Sequence, residues 1–283
     1  MSGSFGSWQL DALVAVGGLG EVWRARRDGT VAALKRLHTH LARIEEATRQ
    51  FSVEQRLATT LPRHPNVVHG FEAGDVEGLP YVVLELIEGE DLRRIVSPPA
   101  TKPTSTPAHI VIPHARVIQL VAAACDGVAH LHDAGFVHGD VCPGNLMVQT
   151  GPTGAPRHQG DQRRAWLAAD RVVVIDLGVA REIGEAGAVR GTHAYMAPEQ
   201  VRGEAWTRAT DVFALGVVLW ELVAGARLFH RGPPWLTMAA VVEDTVPPLG
   251  DAALDAIAQR ALAKLPGERT QSAAELAAAL RAL

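Results

Sequence analysis

Cysteine is nearly missing: among 283 residues only Cys125 and Cys142 occur. That excludes a disulfide framework and fits a reducing compartment, so a cytoplasmic location is expected. Lysine is almost as scarce, with Lys35, Lys102 and Lys264 the only three among 27 basic residues. Long apolar runs are lacking too. The longest, Val212–Leu222, is about half a membrane span and is broken by Gly216 and Glu221, so it reads as a buried core helix and no membrane span is expected. Met1 to Trp8 has neither a basic start nor an apolar stretch, so no secretory signal is evident. No excess of positive charge exists: the formal charge is −4 and the pI about 6.3, which offers nucleic acid no bulk attraction. Metal-site spacings such as C-x-x-C and H-E-x-x-H are absent. The close histidine pairs, His38/His40 and His130/His132, are two apart, a spacing that separates rings on a helix.

What is present is a globular composition, 47% apolar and 20% charged, long enough for one large or two small units. From Trp8 to Leu86, short β-type runs alternate with turns. Val14–Val16, Glu21–Ala25 and Val31–Leu37 read as strands, with Asp28-Gly29 a tight hairpin turn. Leu41–Leu61 is helical in composition; Val67–Ala73 and Tyr81–Leu86 return to strand. Beyond Gly89 the pattern turns helical. His114–Ala134 carries an apolar stripe at Val117, Leu120, Val121, Ala124, Val128 and Leu131, and Thr210–Ala224, Leu254–Leu265 and Ala273–Leu280 follow. The expectation is an α+β chain with a small sheet-rich part before a larger helical one. Two stretches read as insertions, near 97–113 (Pro, Ser and Thr-rich) and 149–169 (Gly, Arg and Gln-rich), either surface loops or partner-docking segments.

Several constellations carry chemistry. Ala15-Val16-Gly17-Gly18-Leu19-Gly20-Glu21-Val22 lies between strand-like runs, where glycines let backbone N–H groups approach phosphate oxygens; a plain glycine turn is the competing reading. Lys35 closes the run Ala32-Ala33-Leu34-Lys35, either facing solvent or reaching under the glycine loop with a carboxylate as holder. Glu54 is the candidate holder, though Glu45 and Glu46 lie on the same helical segment. Phe136-Val137-His138-Gly139-Asp140-Val141-Cys142-Pro143-Gly144-Asn145-Leu146-Met147 sets Asp140 and Asn145 around a Pro-Gly turn, so both can face one pocket. Val172–Ile175 reads as a buried strand running into Asp176-Leu177-Gly178, where a carboxylate is placed for a metal. Gly191-Thr192-His193-Ala194-Tyr195-Met196-Ala197-Pro198-Glu199-Gln200 follows, then Asp211, which alone would be a helix cap, and Arg269, which alone would be a surface arginine.

In this order the motifs resemble the protein kinase family, in particular the bacterial eukaryotic-like (Hanks-type) serine/threonine kinases, over Trp8 to Leu283. The resemblance implies a single bilobal kinase domain over 1–283, with an N-lobe over 8–87 and a C-lobe over 88–283. It implies ATP- and magnesium-dependent (or manganese-dependent) phosphorylation of Ser/Thr hydroxyls on protein substrates. The loop from Ala15 and Val16 through Gly17, Gly18 and Gly20 would cover the ATP phosphates. Lys35 would contact them, paired with Glu54. Leu84 would be the gatekeeper, Glu85 to Ile87 the adenine-binding hinge, and Val22, Ala33 and Met147 the walls around adenine. Asp140 would orient the substrate hydroxyl and accept its proton, with Thr192 hydrogen-bonded to it. Asn145 and Asp176 would hold the metal. Glu199 would pair with Arg269, Asp211 would support the catalytic loop, and His138 would be a packed loop histidine.

The chain departs from the family pattern at four places. Ala15 stands at the first loop glycine and Leu177 replaces a phenylalanine. Gly139 stands where the family has an arginine that pairs with an activation-loop phosphate, making the chain non-RD. Residues 177–190 contain no Ser, Thr or Tyr, so activity is expected not to depend on phosphorylation there. Cys142 replaces a lysine that contacts the γ-phosphate, as a small buried filler or as a redox-sensitive thiol, and Arg181 or Arg190 is the candidate substitute cation. These losses leave two alternatives beside an active protein kinase: a pseudokinase acting as a nucleotide-binding scaffold for protein partners, or a kinase-like enzyme on a small molecule.

Overall fold

The computed structural model describes residues 3–93, 112–150, 169–187, 189 and 191–283. The chain divides into two compact units, Met1–Glu88 with Asp176–Ala180, and Gly89–Ile175 with Arg181–Leu283.

The first unit is built on a six-stranded antiparallel sheet. Its strands are β1 (Gly3–Phe5), β2 (Trp8–Val16), β3 (Gly20–Arg27), β4 (Thr30–Leu37), β5 (Gly70–Val76) and β6 (Leu79–Leu84), in the order β1-β2-β3-β4-β6-β5. Two hairpins set the register. Asp28-Gly29 (φ 50° and 80°) and Glu77-Gly78 (φ 54° and 80°) both take positive φ at two successive positions, the geometry whose twist matches paired strands. Alternation buries Trp8, Leu10, Ala25, Ala32, Leu34 and Val83 on one face. The helix α1 (Glu45–Thr60) buries Phe51, Leu57 and Ala58, and with them the carboxylate of Glu54. Strand β5 approaches α1 so closely that a Cβ at Gly70 would stand 2.5 Å from the Ala58 carbonyl oxygen.

The expected helical run from Leu41 starts late. Thr39–Leu41 is a 3₁₀ turn and α1 begins at Glu45, where Glu45 and Glu46 complement the helix N-terminus. Because His38 is extended and precedes that turn, the His38 and His40 rings stack with centroids 5.3 Å apart, contrary to the separation a helix imposes.

The second unit carries the helices α2 (His114–Asp133), α3 (Pro198–Val201), α4 (Arg208–Ala224), α5 (Pro234–Glu243), α6 (Ala252–Ala261) and α7 (Ala273–Arg281). Its short strands are β7 (Gly89–Asp91), β8 (Phe136–Val137), β9 (Leu146–Thr150), β10 (Ala169–Val174) and β11 (Arg181–Glu182), pairing as β10-β9-β7 and β11-β8. Helix α4 is buried nearly all round, which explains its strongly apolar character. It stops at Gly225, left-handed at φ 64°. Among the described residues no helix is long and apolar enough to cross a membrane. Residues 97–111 and 151–168 of the two expected insertions lie outside the described residues. The insertions are narrower than expected: Ile112 is in the core, and Gln149, Thr150 and Ala169 belong to the hairpin β9-β10.

Candidate active site

The glycine loop joins β2 to β3. The Gly17 amide donates to the Gly20 carbonyl (2.8 Å), and the Leu19 carbonyl accepts from the His38 amide (2.9 Å). Gly20 is the glycine the fold demands, because a Cβ there would fall 2.2 Å from the Arg36 carbonyl oxygen on β4. A Cβ at Gly18 would meet nothing within 4 Å. Ala15 pairs with Val22 and is exposed, so the missing glycine is absorbed by ordinary strand pairing.

On β4, Lys35 sits opposite Val22 of β3 and Val82 of β6. It is buried rather than solvent-facing, and its Nζ donates to Glu54 Oε1 (2.6 Å), Glu54 Oε2 (2.7 Å) and Asp176 Oδ1 (2.7 Å). Burial by itself would push the ammonium pKa down; the charges of Glu54 and Asp176 outweigh it and hold the pKa above its usual value. The carboxylates of the first helical turn are exposed, and Glu46 pairs with Arg49, so Glu54 alone of these meets the lysine. Asp176 takes φ 60°, a strained conformation for a residue with a side chain. Gly178 is obligatory beside it: a Cβ would stand 2.9 Å from Glu54 Oε2 and 3.1 Å from Asp176 Oδ1. Leu177 is buried and fills the apolar role expected of it. At the end of β6, Leu84 is buried opposite Ala33, and the Glu85 amide donates to His69 O (2.8 Å), with Ile87 half-buried beyond it.

In the second unit the catalytic loop hangs on Asp211. This residue lies one turn inside α4 rather than capping it, and its carboxylate accepts from the His138 amide (2.8 Å), the Gly139 amide (2.9 Å) and His132 Nε2 (2.9 Å). Burial favours protonation of Asp211, yet these hydrogen bonds and the neighbouring histidines hold its pKa below the usual value. His138 Nδ1 accepts from the Asp140 amide (3.2 Å), so Nε2 carries the proton and donates to Ile175 O (3.2 Å); the ring is structural.

Asp140 Oδ1 accepts from the Thr192 amide (2.9 Å), and Oδ2 from Asn145 Nδ2 (3.1 Å), which also donates to Asp140 O (2.8 Å). Gly191, at φ 115°, brings Thr192 in; a Cβ there would stand 2.9 Å from Asp140 Oδ1. The Thr192–Asp140 hydrogen bond is made by the Thr192 amide, and the hydroxyl donates to Cys142 Sγ at 3.6 Å. Cys142 is buried, and desolvation together with the Asp140 charge pushes its thiol up to about 12. It is therefore a neutral filler at physiological pH, not a reactive thiolate. Arg181 does not stand in for the missing lysine: its guanidinium lies 4.4 Å from the Trp206 ring centroid and donates to Ala186 O (2.9 Å). Arg190 lies outside the described residues. Met147 is in β9, opposite Val173.

The segment ending at Glu199 is fastened by a fully buried arginine. Arg269 spends all five N–H donors: on Glu199 Oε1 and Oε2 (2.7 Å each), and on the carbonyls of Ala263, Lys264 and Ala209. Thr210 adds a hydroxyl to Glu199 (2.9 Å). Gln200, quoted in the motif without a role, bridges the Ala197 amide and the Gly139 carbonyl (2.9 Å each). His132 and Trp206 also escaped sequence reasoning; for Trp206 the available signal was a bulky aromatic in an otherwise polar stretch.

Comparison with known proteins assigns these residues to a family. Residues 8–247 match the family described as "Protein kinase domain", and the chain belongs to that family. It is 34% identical over 292 residues to serine/threonine-protein kinase PknB of Mycobacterium tuberculosis, covering 96% of this chain and 42% of that protein. A probable serine/threonine-protein kinase of Corynebacterium efficiens is 34% identical over 299 residues, covering 98% of this chain and 41% of its own length. PknB of Mycobacterium leprae is 33% identical over 291 residues. The chain thus spans about two fifths of the length of these relatives.

Proposed function

We propose that this chain transfers the terminal phosphoryl group of ATP to Ser/Thr hydroxyls of protein substrates. The observation that carries the reading is the buried Lys35–Glu54 pair closed by Asp176: a fixed cation of this kind exists to meet polyphosphate. The glycine loop offers backbone N–H groups on the same unit. Asp140, oriented by Thr192 N and Asn145, would align the acceptor hydroxyl and take its proton.

Each unit by itself offers an oxygen donor of the kind a divalent cation takes. Asp176 offers a half-exposed carboxylate, and Asn145 commits its amide nitrogen to Asp140, leaving the amide oxygen for a hard ion. Magnesium held by such oxygens would neutralise charge on the phosphates. Dependence on ATP and two unpaired cysteines support a cytoplasmic location for this domain. The relatives' names favour a protein kinase over the scaffold and small-molecule alternatives.

The test is radiolabel transfer from magnesium-ATP to a mixed protein substrate, followed by phosphoamino-acid analysis. Label on serine and threonine, lost in Asp140→Asn, is the expected outcome. Equal labelling by Asp140→Asn overturns the catalytic assignment; no transfer by the wild type, with nucleotide still bound, returns the scaffold reading.

A further inference from the structure

Gly139 removes the side chain that in related enzymes ties the catalytic loop to the activation segment, and the space it vacates is filled. We propose that Trp206 is a positioning residue: its indole holds segment 181–187 against the catalytic loop permanently, in place of an arginine–phosphate pair. The proposal rests on the reading of the chain as a protein kinase.

The indole is wedged between two glycines from different segments. A Cβ at Gly139 (φ 75°) would stand 2.3 Å from Cζ3 of Trp206 and 2.9 Å from Cε3. A Cβ at Gly187 would stand 2.4 Å from Cζ2 and 2.9 Å from Cε2, the opposite edge of the same six-membered ring. No side chain fits at either position while Trp206 occupies its seat. The Arg181 guanidinium covers the ring face, and its bond to Ala186 O closes the turn between them. Main-chain bonds run from Gly184 N to Trp206 O (2.8 Å) and from Trp206 N to Glu185 O (3.0 Å), and Ala186 bridges Ala205.

The anchor is buried while its surroundings are not. Trp206 has 0% exposure, yet Glu204, Ala205 and residues 182–186 are all exposed. The segment's other tie is the pairing of β11 with β8, extended by Ile183 N to Gly135 O (3.0 Å). Trp206 immediately precedes Thr207, the cap of α4, and α4 carries the Asp211 carboxylate that holds His138 and Gly139. One tryptophan therefore couples both segments to a rigid helix. Its Nε1 has no acceptor among the described residues, so ring packing rather than a polar bond does the holding.

The experiment compares wild type, Trp206→Ala, Trp206→Phe and Gly187→Ala in three assays: phosphorylation of dephosphorylated casein, magnesium-ADP binding, and hydrogen exchange of segment 181–187. Trp206→Ala should speed exchange of the Gly184 and Ile183 amides at least ~10-fold and lower kcat/KM on casein by roughly 10–100-fold. Magnesium-ADP affinity should stay within about threefold, because the segment and the Lys35 cluster belong to different compact units. Trp206→Phe should keep all three near wild type. Gly187→Ala, whose Cβ would crowd Trp206 Cζ2 (2.4 Å) and Arg181 Cζ (2.9 Å) without emptying the core, should reproduce the Ala phenotype even where Trp206→Ala fails to fold. Phosphatase treatment should leave wild-type activity unchanged. Wild-type exchange and kcat/KM in Gly187→Ala, or loss of wild-type activity on phosphatase treatment, overturns the proposal. A wild type that phosphorylates nothing defeats the kinase reading instead, and the exchange data still decide whether Trp206 holds the segment.

Discussion

Cys142 and Lys35 show how burial sets chemistry one residue at a time. A thiol pushed up to about 12 carries almost no thiolate at pH 8. Alkylation of Cys142 by iodoacetamide in the native protein should run on the order of a thousandfold slower than in urea, where an ordinary cysteine titrates near pH 8.5. Mass spectrometry of the peptide containing Cys142 measures this, and fast native labelling would restore the redox reading. Since the thiol contributes volume rather than charge, Cys142→Ser should change phosphoryl transfer by less than about threefold. Lys35 is the opposite case. Truncating it removes the ammonium bound to Glu54, which is 1% exposed. Lys35→Met should therefore abolish transfer and cost about 3–5 kcal/mol in stability by urea titration, while Lys35→Met with Glu54→Leu should recover most of that stability but no activity.

Among the elements, α4 is an apolar helix that buries two carboxylates: Glu221 beside Tyr195 and, under the loop carrying Asp140, Asp211. Its folded pKa is depressed below 3.8, so its stabilisation is complete above that pH and is lost as pH falls through the folded value. Asp211→Asn should flatten the acid limb of the stability profile and lower transfer at least ~10-fold, since the His138 and Gly139 amides lose a charged acceptor. A thermal-melt series from pH 7 to pH 3 checks the first effect and a kinase assay the second. The strands β3, β4 and β6 and the long helices were legible in the sequence because alternation and 3.6-residue stripes follow from one-sided burial. Short strands such as β7, β8 and β11 were not, since two or three residues carry no period and their pairing is dictated by distant partners. Site residues on regular elements, Lys35, Glu54 and Asp211, were legible as motif members, but the direction of a hydroxyl was not. Thr192 turns to Cys142 because of what stands there, which spacing does not encode. The role of Trp206 was not legible for the same reason: its seat is made by two glycines, one about 70 residues away and one about 20.

For the whole molecule, the Lys35–Glu54–Asp176 cluster and the loop carrying Asp140 belong to different compact units, each with its own core and its own fastening of charged groups. Binding and transfer should therefore separate under mutation. Magnesium-ADP at about 100 times its Kd adds about 2.7 kcal/mol to stability, which for a chain of this size raises Tm by roughly 5–8 °C. Asp140→Asn, which keeps an acceptor oxygen for the Thr192 amide and leaves the Lys35 cluster untouched, should retain that shift and transfer no label. Asp176→Asn weakens the charge beside Lys35 and removes an expected metal ligand, so it should lose both the magnesium-dependent part of the shift and the transfer. Differential scanning fluorimetry with ADP alone, with magnesium-ADP and with EDTA distinguishes the two variants. A full magnesium-dependent shift in Asp176→Asn would remove this carboxylate from the metal site and leave its bond to Lys35 as its only assigned role.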